Sequence, residues 1–167
     1  MFNSLVPDYY FQSFSEVSAQ FLLSIGVRGI ILDVDNTLEP YENALPTDGV
    51  RNWLQSLKSA GIGAAIVSNN NEERIKKFNA ELNLPYYFKA KKPFKKNVVL
   101  AMKDLNVLPE NAIPMGDQIF TDVWAARNAR IKAILVPPIK DKTDLLTRFK
   151  RLLEKPILNK YIKRKGR

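Results

Sequence analysis

Short apolar runs alternate along the chain with longer segments in which apolar residues recur at helical spacing. The short runs are rich in β-branched residues and end in polar residues, a pattern that predicts buried strands. They cover Gly29–Val34, Ile62–Val67, Tyr86–Phe88, Ala112–Met115 and Ala133–Val136. Strand and helix in alternation predict an α/β fold: a doubly wound, mostly parallel five-stranded sheet with helices on both faces.

The segments between these strands predict helices from their caps and apolar faces. Four helices are expected. The first is capped by Thr47 and ends at about Ala60, and the second is capped by Asn71. The third runs from Pro93 to about Leu105, and the fourth covers Thr121–Arg130.

The C-terminal segment 140–167 differs from the rest in charge. It holds 11 of the 26 basic and 3 of the 17 acidic residues, a net charge of +8, against +1 for residues 1–139. Its apolar residues predict an amphipathic helix from Leu145 that breaks at Pro156, after which a second apolar stripe resumes. We therefore expect a core, 1–139, whose aromatic N-terminal segment covers an apolar edge. The extension 140–167 then packs on this core or on an anionic membrane surface.

Cysteine and histidine are both missing from the chain. Their absence excludes disulfides, thiolate nucleophiles, imidazole bases and zinc sites built from these residues. The remaining chemistry must use carboxylates, hydroxyls, amides and lysines. A metal held mainly by carboxylate oxygens would be a hard cation, with Mg²⁺ the leading candidate.

Polar residues stand at the ends of three of the predicted strands, at the edge where parallel sheets place their ligands. They are Asp33, Asp35, Ser68, Asp117 and Asp122, and Lys91 and Lys92 precede the helix expected at Pro93. Asp33 and Asp35 are two residues apart and leave the strand toward the same side, so one could attack an electrophile while the other moves a proton. The four aspartates would repel each other unless a divalent cation lay among them. This set suits phosphoryl transfer, with Thr37 orienting the first loop.

The stretches DVDNTL, VSNN, KKP and GDQIFTD, in this order, resemble the four motifs of the haloacid dehalogenase (HAD) phosphatases over roughly Gly29–Pro138. The resemblance implies an aspartyl-phosphate mechanism with Asp33 as nucleophile, Asp35 as acid and base, Ser68 as phosphoryl ligand and Lys92 as cation, Lys91 being the alternative. It also implies Mg²⁺ held by Asp33, the backbone carbonyl of Asp35 and Asp117, with Asp122 as a ligand or a support. Thr37, Asn69 and Lys91 are assigned to substrate binding. Asn36 stands where many relatives have glycine.

The gaps between the motifs leave no room for a cap domain. Only 34 residues separate Asp33 from Ser68, and 23 separate Ser68 from Lys92. The chain is thus similar to the capless class IIIA of the superfamily, whose open site accepts a large or surface-bound phosphomonoester.

More narrowly, LVPDYYF, SNNNEERIKKF, GDQIFTDV, ILVPPI and the basic C-terminus resemble the YqeG-like phosphatases. This resemblance implies phosphatidylglycerophosphate as substrate and phosphatidylglycerol as product. The N-terminus lacks the pattern of a signal peptide, and the apolar runs are shorter than the roughly 20 residues that cross a bilayer. We therefore expect a cytoplasmic protein that associates peripherally with the inner face of the plasma membrane through its basic tail.

Other interpretations of the same residues are open at this point. The enzyme could be a phosphatase for a soluble phosphosugar, a nucleotide or a nucleic-acid end, with the tail gripping another polyanion. It could be a non-enzymatic nucleic-acid-binding or scaffold protein that retains an α/β domain. The aspartates could also merely cap helices of a doubly wound domain. A receiver domain, a further alternative, would carry adjacent acids after its first strand and a lone phosphorylated aspartate after its third. This chain has the pair Asp33 and Asp35 at the end of its first strand instead.

Overall fold

A parallel sheet forms the centre of the protein. The computed structural model describes residues 5–140 and 145–165, with only the backbone for 145–151 and 164–165. Within this part of the chain the sheet has six strands in the order β1-β6-β5-β2-β3-β4. The strands are β1 (Tyr9–Tyr10), β2 (Gly29–Leu32), β3 (Gly63–Val67), β4 (Tyr86–Tyr87), β5 (Ala112–Gly116) and β6 (Ile134–Leu135). The helices are α1 (Ala19–Ser24), α2 (Asp48–Ser59), α3 (Glu72–Asn79), α4 (Lys96–Asp104), α5 (Trp124–Asn128) and α6 (Leu145–Lys165).

Successive residues of the central strands pack on opposite faces of the sheet. Ile30 and Leu32 of β2 join the apolar cluster beneath α2 and α3, whereas Ile31 joins the cluster beneath α4 and α5. This alternation follows from the two-residue repeat of a strand. The predicted α/β architecture, with a parallel sheet between two helical layers, is confirmed.

The predicted strand count was one too low, because the N-terminal segment contributes β1. Tyr9 and Tyr10 pair in parallel with Ile134 and Leu135 of β6. A two-residue edge strand is too short to show a period in the sequence, so its pairing could not be foreseen. Tyr9, Phe11 and Phe14 of this segment pack against the apolar cluster that lies beneath α2 and α3.

Two helices begin differently from their predictions. The amide of Phe94 donates to the carbonyl of Lys91, a turn that delays the start of α4 from Pro93 to Lys96. The helix predicted over Thr121–Arg130 is divided into a π-helical turn, Ile119–Val123, and the short α5. We call Ile119–Val123 the π turn.

The predicted helix break at Pro156 was wrong, since α6 continues through this residue. A proline removes one hydrogen bond, and packing on both sides of it compensates here. Glu154 and Ile157 are buried, and the hydroxyl of Tyr161 accepts a hydrogen bond from the amide of Tyr10 at 3.1 Å. The C-terminal helix therefore lies on the core. The side chains of its first stripe, up to residue 151, lie outside the described residues.

The connections that precede and follow β3 are short. A loop and α2 fill the first, and α3 fills the second, so neither contains a cap domain in the described chain. No helix within 5–140 and 145–165 combines the length and apolar character needed to cross a bilayer.

We expect Phe78→Ala to lower the free energy of unfolding by about 3–5 kcal/mol, because Phe78 of α3 is fully buried and its loss leaves a cavity. Lys77→Ala, at an exposed neighbouring position on the same helix, should change it by less than about 0.5 kcal/mol. Chemical denaturation followed by circular dichroism measures both. Equal effects of the two substitutions would contradict this packing.

Candidate active site

Three adjacent strands, β5, β2 and β3, end at one edge of the sheet, which we call the carboxyl edge. The residues that follow these strands surround a cavity of about 330 Å³. Its lining includes Asp33, Asp35, Ser68, Asn69, Lys92 and Asp122, all predicted from the sequence, together with Tyr41, Asn70, Gln118 and Thr121. The structure thus brings residues from four separate motifs into one site.

The ammonium group of Lys92 lies between two carboxylates. Its Nζ is 2.7 Å from Oδ1 of Asp33 and 2.6 Å from Oδ1 of Asp122. The three side chains are only 5%, 11% and 6% exposed, for Lys92, Asp33 and Asp122 respectively. Lys91, by contrast, is exposed. Lys92 is therefore the lysine that the fold places among the carboxylates.

The environment of these charges shifts their protonation. Burial raises the pKa of Asp33 to about 7; Lys92 opposes this shift, and the carboxylates of Asp122 and Asp117 add to it. Burial alone would lower the pKa of Lys92, but the carboxylates of Asp122 and Asp33 outweigh it and raise that pKa. Lys92 is thus held in its charged form.

Asp117 and Thr37 lie behind this pair. Both are almost fully buried, and the Thr37 hydroxyl is 3.3 Å from Oδ2 of Asp33 and 3.4 Å from Oδ1 of Asp117. This hydroxyl can donate to either carboxylate. The structure therefore places Thr37 as a bridge within the acidic cluster, in a position that orients Asp33.

A close approach at Gly116 is needed to form the cluster. A Cβ atom at this position would collide with the side chain of Asp122. The last residue of β5 must therefore be glycine for Asp122 to fold back toward Lys92. In that position Oδ2 of Asp122 accepts a hydrogen bond from the amide of Gln118 at 3.1 Å.

Asp35 is fixed by two residues that sequence reasoning did not single out. Arg74 Nε lies 3.1 Å from Oδ1 of Asp35, and Asn70 Nδ2 lies 2.7 Å from Oδ2. Arg74 also donates to the carbonyl of Ala44 at 3.0 Å. An arginine one turn into the helix that follows a site strand was the available indication, but only the fold shows which carboxylate it meets.

Ser68 and Asn69 have different surroundings. The hydroxyl of Ser68 accepts from the amide of Asn70 at 3.1 Å, within the turn after β3. Asn69 holds the backbone of Lys92 from both sides, since its Oδ1 accepts from the Lys92 amide at 2.7 Å and its Nδ2 donates to the Lys92 carbonyl at 3.3 Å. Asn69 lines the cavity and also anchors the segment that carries Lys92.

Asn36 has a backbone conformation that few residue types adopt readily. Its φ angle of 62° lies in the left-handed region, which glycine and asparagine adopt most readily. Its amide donates to the carbonyl of Glu39 at 2.7 Å, which closes the first loop. The sequence motif and the backbone geometry therefore agree.

The acidic cluster has the donor chemistry of a divalent-cation site. Oxygen atoms of Asp33, Asp117 and Asp122 lie within 4.8 Å of one another. Three carboxylates face one buried lysine, so the ionised cluster carries an excess of negative charge that a hard cation would neutralise. Such a cation would also favour the ionised form of Asp33. The residues of the cluster therefore fit a divalent cation.

Comparisons with known proteins agree with this geometry. The haloacid dehalogenase-like hydrolase family matches residues 30–136. The chain is 35% identical over 161 residues to a Bacillus subtilis protein described as probable phosphatase YqeG, covering 96% of this chain and 93% of that protein. It is 29% identical over 113 residues to glyceraldehyde 3-phosphate phosphatase of Pyrococcus furiosus, which covers 62% of this chain and 46% of the relative.

Solved structures share the fold at low sequence identity. A HAD-superfamily hydrolase from Ehrlichia chaffeensis superimposes with a TM-score of 0.56 at 20% identity, covering 77% of this chain and 98% of that one. CbbY from Rhodobacter sphaeroides, in complex with phosphate, gives 0.58 at 14% identity, covering 71% and 89%. From the family match and the full-length similarity we conclude that this chain belongs to the haloacid dehalogenase-like hydrolases and is a phosphatase of that family.

Proposed function

We propose that the protein is a Mg²⁺-dependent phosphomonoesterase that works through an aspartyl phosphate on Asp33 and dephosphorylates phosphatidylglycerophosphate at a membrane surface. The observation that carries the lipid assignment is an acidic site at an uncapped carboxyl edge whose loops expose both cations and apolar side chains. Phosphatase membership leaves the non-enzymatic alternative without support.

The side chains of the cavity have separate tasks in this mechanism. The carboxylate of Asp33 attacks phosphorus, and Asp35 protonates the leaving oxygen and then takes a proton from the attacking water. The Ser68 oxygen accepts from the Asn70 amide, which leaves its proton for a phosphoryl oxygen. Lys92 offsets the charge shared by Asp33 and the phosphoryl group.

The contacts of Asp35 define its working position. Arg74 and Asn70 each occupy one of its two oxygens, so the carboxyl group is held at a fixed angle at the cavity wall. Asn70 is the neutral partner, and proton transfer at Oδ2 displaces only a neutral donor. We therefore assign the proton transfer to Oδ2.

Asp33, Asp117, Asp122 and the backbone carbonyl of Asp35 would hold Mg²⁺. When bound, the ion neutralises the phosphoryl oxygens, so an anionic nucleophile can approach.

Exposed apolar side chains lie on loops of the carboxyl edge. Tyr41 lines the cavity and is 50% exposed, and Phe94 is 69% exposed two residues after Lys92. Ile139 is 48% exposed and its amide donates to the carbonyl of Asn36, beside the first site loop. A soluble phosphosugar has no apolar region to contact these side chains, whereas the acyl region of a lipid can pack against them.

Cations accompany these apolar groups. Lys89, Lys91, Lys95 and Lys96 are exposed on the connection that carries Lys92. Each basic residue near an anionic leaflet contributes about 1 kcal/mol of attraction. The tail adds the exposed Lys163 on α6, a helix that packs on the core through Ile157 and Tyr161.

A phosphosugar substrate is the second candidate, favoured by the similarity to glyceraldehyde 3-phosphate phosphatase. An open site accepts small phosphomonoesters as well, so relative turnover must decide between the two substrates.

Asp33→Asn should lower phosphate release from p-nitrophenyl phosphate by at least roughly a thousandfold, because an amide does not attack phosphorus. Asp48→Asn is the control, since this aspartate is 93% exposed on α2 and does not line the cavity. It should retain the wild-type rate. Wild-type turnover by Asp33→Asn would refute the aspartyl-phosphate mechanism.

Treatment with EDTA should abolish phosphate release, and added Mg²⁺ should restore it, because the excess negative charge of the cluster otherwise repels a phosphoryl group. The assay is a titration of the EDTA-treated enzyme with Mg²⁺, Mn²⁺, Co²⁺ or Ca²⁺. Full activity in EDTA would contradict the metal assignment. If Co²⁺ but not Mg²⁺ restored phosphate release, the assignment of Mg²⁺ would be wrong.

The lipid assignment predicts a higher kcat/KM for phosphatidylglycerophosphate in mixed micelles than for glyceraldehyde 3-phosphate. The double substitution Lys95→Glu with Lys96→Glu should raise KM for the lipid roughly tenfold, by repulsion from the anionic surface, and leave p-nitrophenyl phosphate hydrolysis unchanged.

The matched control is the double substitution Lys58→Glu with Lys103→Glu. These lysines lie in the last turns of α2 and α4, toward the opposite edge of the sheet. The same change in net charge should there leave KM for the lipid within about twofold, since screening confines the attraction to nearby charges. Equal effects of both pairs, or faster turnover of the soluble substrate, would overturn the lipid assignment.

A further inference from the structure

One acidic residue of the basic tail is buried beside the active site. Glu154 of α6 is 7% exposed, and its Oε1 accepts hydrogen bonds from the amides of Ile119 at 2.7 Å and Phe120 at 3.4 Å. A buried carboxylate is costly unless such donors compensate it, and charge-assisted bonds of this kind are among the stronger ones in proteins. The contact therefore contributes to the local structure on both sides.

The amides that Glu154 binds open the π turn. The first N–H groups of a helical turn have no partners within it, so the carboxylate supplies the partner that the turn itself lacks. Asp122 follows within the same turn, and its own amide donates to the carbonyl of Gln118 at 2.9 Å. Glu154 thus fixes the start of a single turn whose end places a carboxylate 2.6 Å from Lys92.

The position of Glu154 is fixed by the packing of α6 on the core. Glu154, Ile157 and Tyr161 are three and four residues apart, so they lie on one face of α6. Ile157 is 1% exposed in the apolar cluster that contains the π-turn residues Ile119 and Val123. The Tyr161 hydroxyl accepts from the Tyr10 amide, and the two tyrosine rings are 6.1 Å apart. The docked helix gives Glu154 little freedom to withdraw.

We propose that Glu154 is a positioning residue for the active site: it fixes the π turn so that Asp122 meets Lys92, and the C-terminal helix is thereby a working part of the phosphatase. The kinetic consequence rests on the proposed function, whereas the structural consequence does not. Glu154 touches neither substrate nor cation in this role, and it acts through the backbone of Ile119.

Two measurements on the full-length protein test this role. Amide hydrogen exchange by NMR reports the π turn directly, and steady-state hydrolysis of p-nitrophenyl phosphate with Mg²⁺ reports the site. In Glu154→Ala, exchange at Ile119, Phe120 and Asp122 should accelerate by roughly tenfold or more, because bonds to a buried charge are lost. The kcat should fall by roughly tenfold, with KM within about twofold, because the lysine and carboxylate are misplaced and the phosphate pocket remains.

Two further variants separate positioning from general packing. Glu154→Gln keeps an oxygen acceptor and should restore most of the slow exchange and of kcat. Lys155→Ala, at an exposed position on the same helix, should match the wild type in both measurements. If Glu154→Ala fails to fold, Glu154→Asp serves instead, since it keeps the charge and withdraws the oxygen by one methylene.

Unchanged exchange at the π turn in Glu154→Ala would overturn the proposal. Accelerated exchange with wild-type kcat would also overturn it, because the turn would then be held without consequence for the site. If the wild type itself released no phosphate, the proposed function would fail, and exchange at Asp122 would still decide whether Glu154 fixes the turn.

Discussion

The contact on which the site depends is the buried ammonium of Lys92 between Asp33 and Asp122. Moving these charges out of water is expensive, and their mutual attraction repays the cost only at short range and with every group hydrogen-bonded. The cluster meets this condition through distances of 2.7 and 2.6 Å and through the Thr37 hydroxyl. Removing one partner would leave an uncompensated buried charge, so the three motifs cannot vary independently.

The order of the strands makes this contact possible. Asp33 follows β2, Asp122 follows β5, and Lys92 lies on the chain after β4; β2 is flanked by β5 and β3. A parallel sheet brings these ends to one edge, but the final ångströms come from small local features. Gly116 lets Asp122 fold back, and Asn69 pins the backbone of Lys92 by two hydrogen bonds.

Features that show as a periodic pattern of apolar residues or as a sequence motif can be predicted from the sequence. The α/β class, the strands β2 to β6 and the convergence of Asp33, Asp35, Ser68, Lys92 and Asp122 all follow from such patterns. The remaining features depend on contacts between distant segments. β1 is two residues long, the path of α6 through Pro156 depends on burial of Ile157, and the pairing of Arg74 with Asp35 spans 39 positions. No local pattern encodes these contacts, although a lone acid in a basic helix was a recognisable anomaly at Glu154.

The docked tail changes what its charge means. From the sequence alone, packing of α6 on the core and contact with a membrane are alternatives. In the structure, different faces of the helix are available for each. Glu154, Ile157 and Tyr161 point to the core, whereas Leu152 and Lys163, on the opposite side, are exposed. A helix with one docked face and one basic, partly apolar face can meet an anionic surface without leaving the protein. Under the proposed lipid assignment, the face that would touch lipid belongs to the same helix whose Glu154 accepts hydrogen bonds from the π turn, so one helix would serve both the surface and the site.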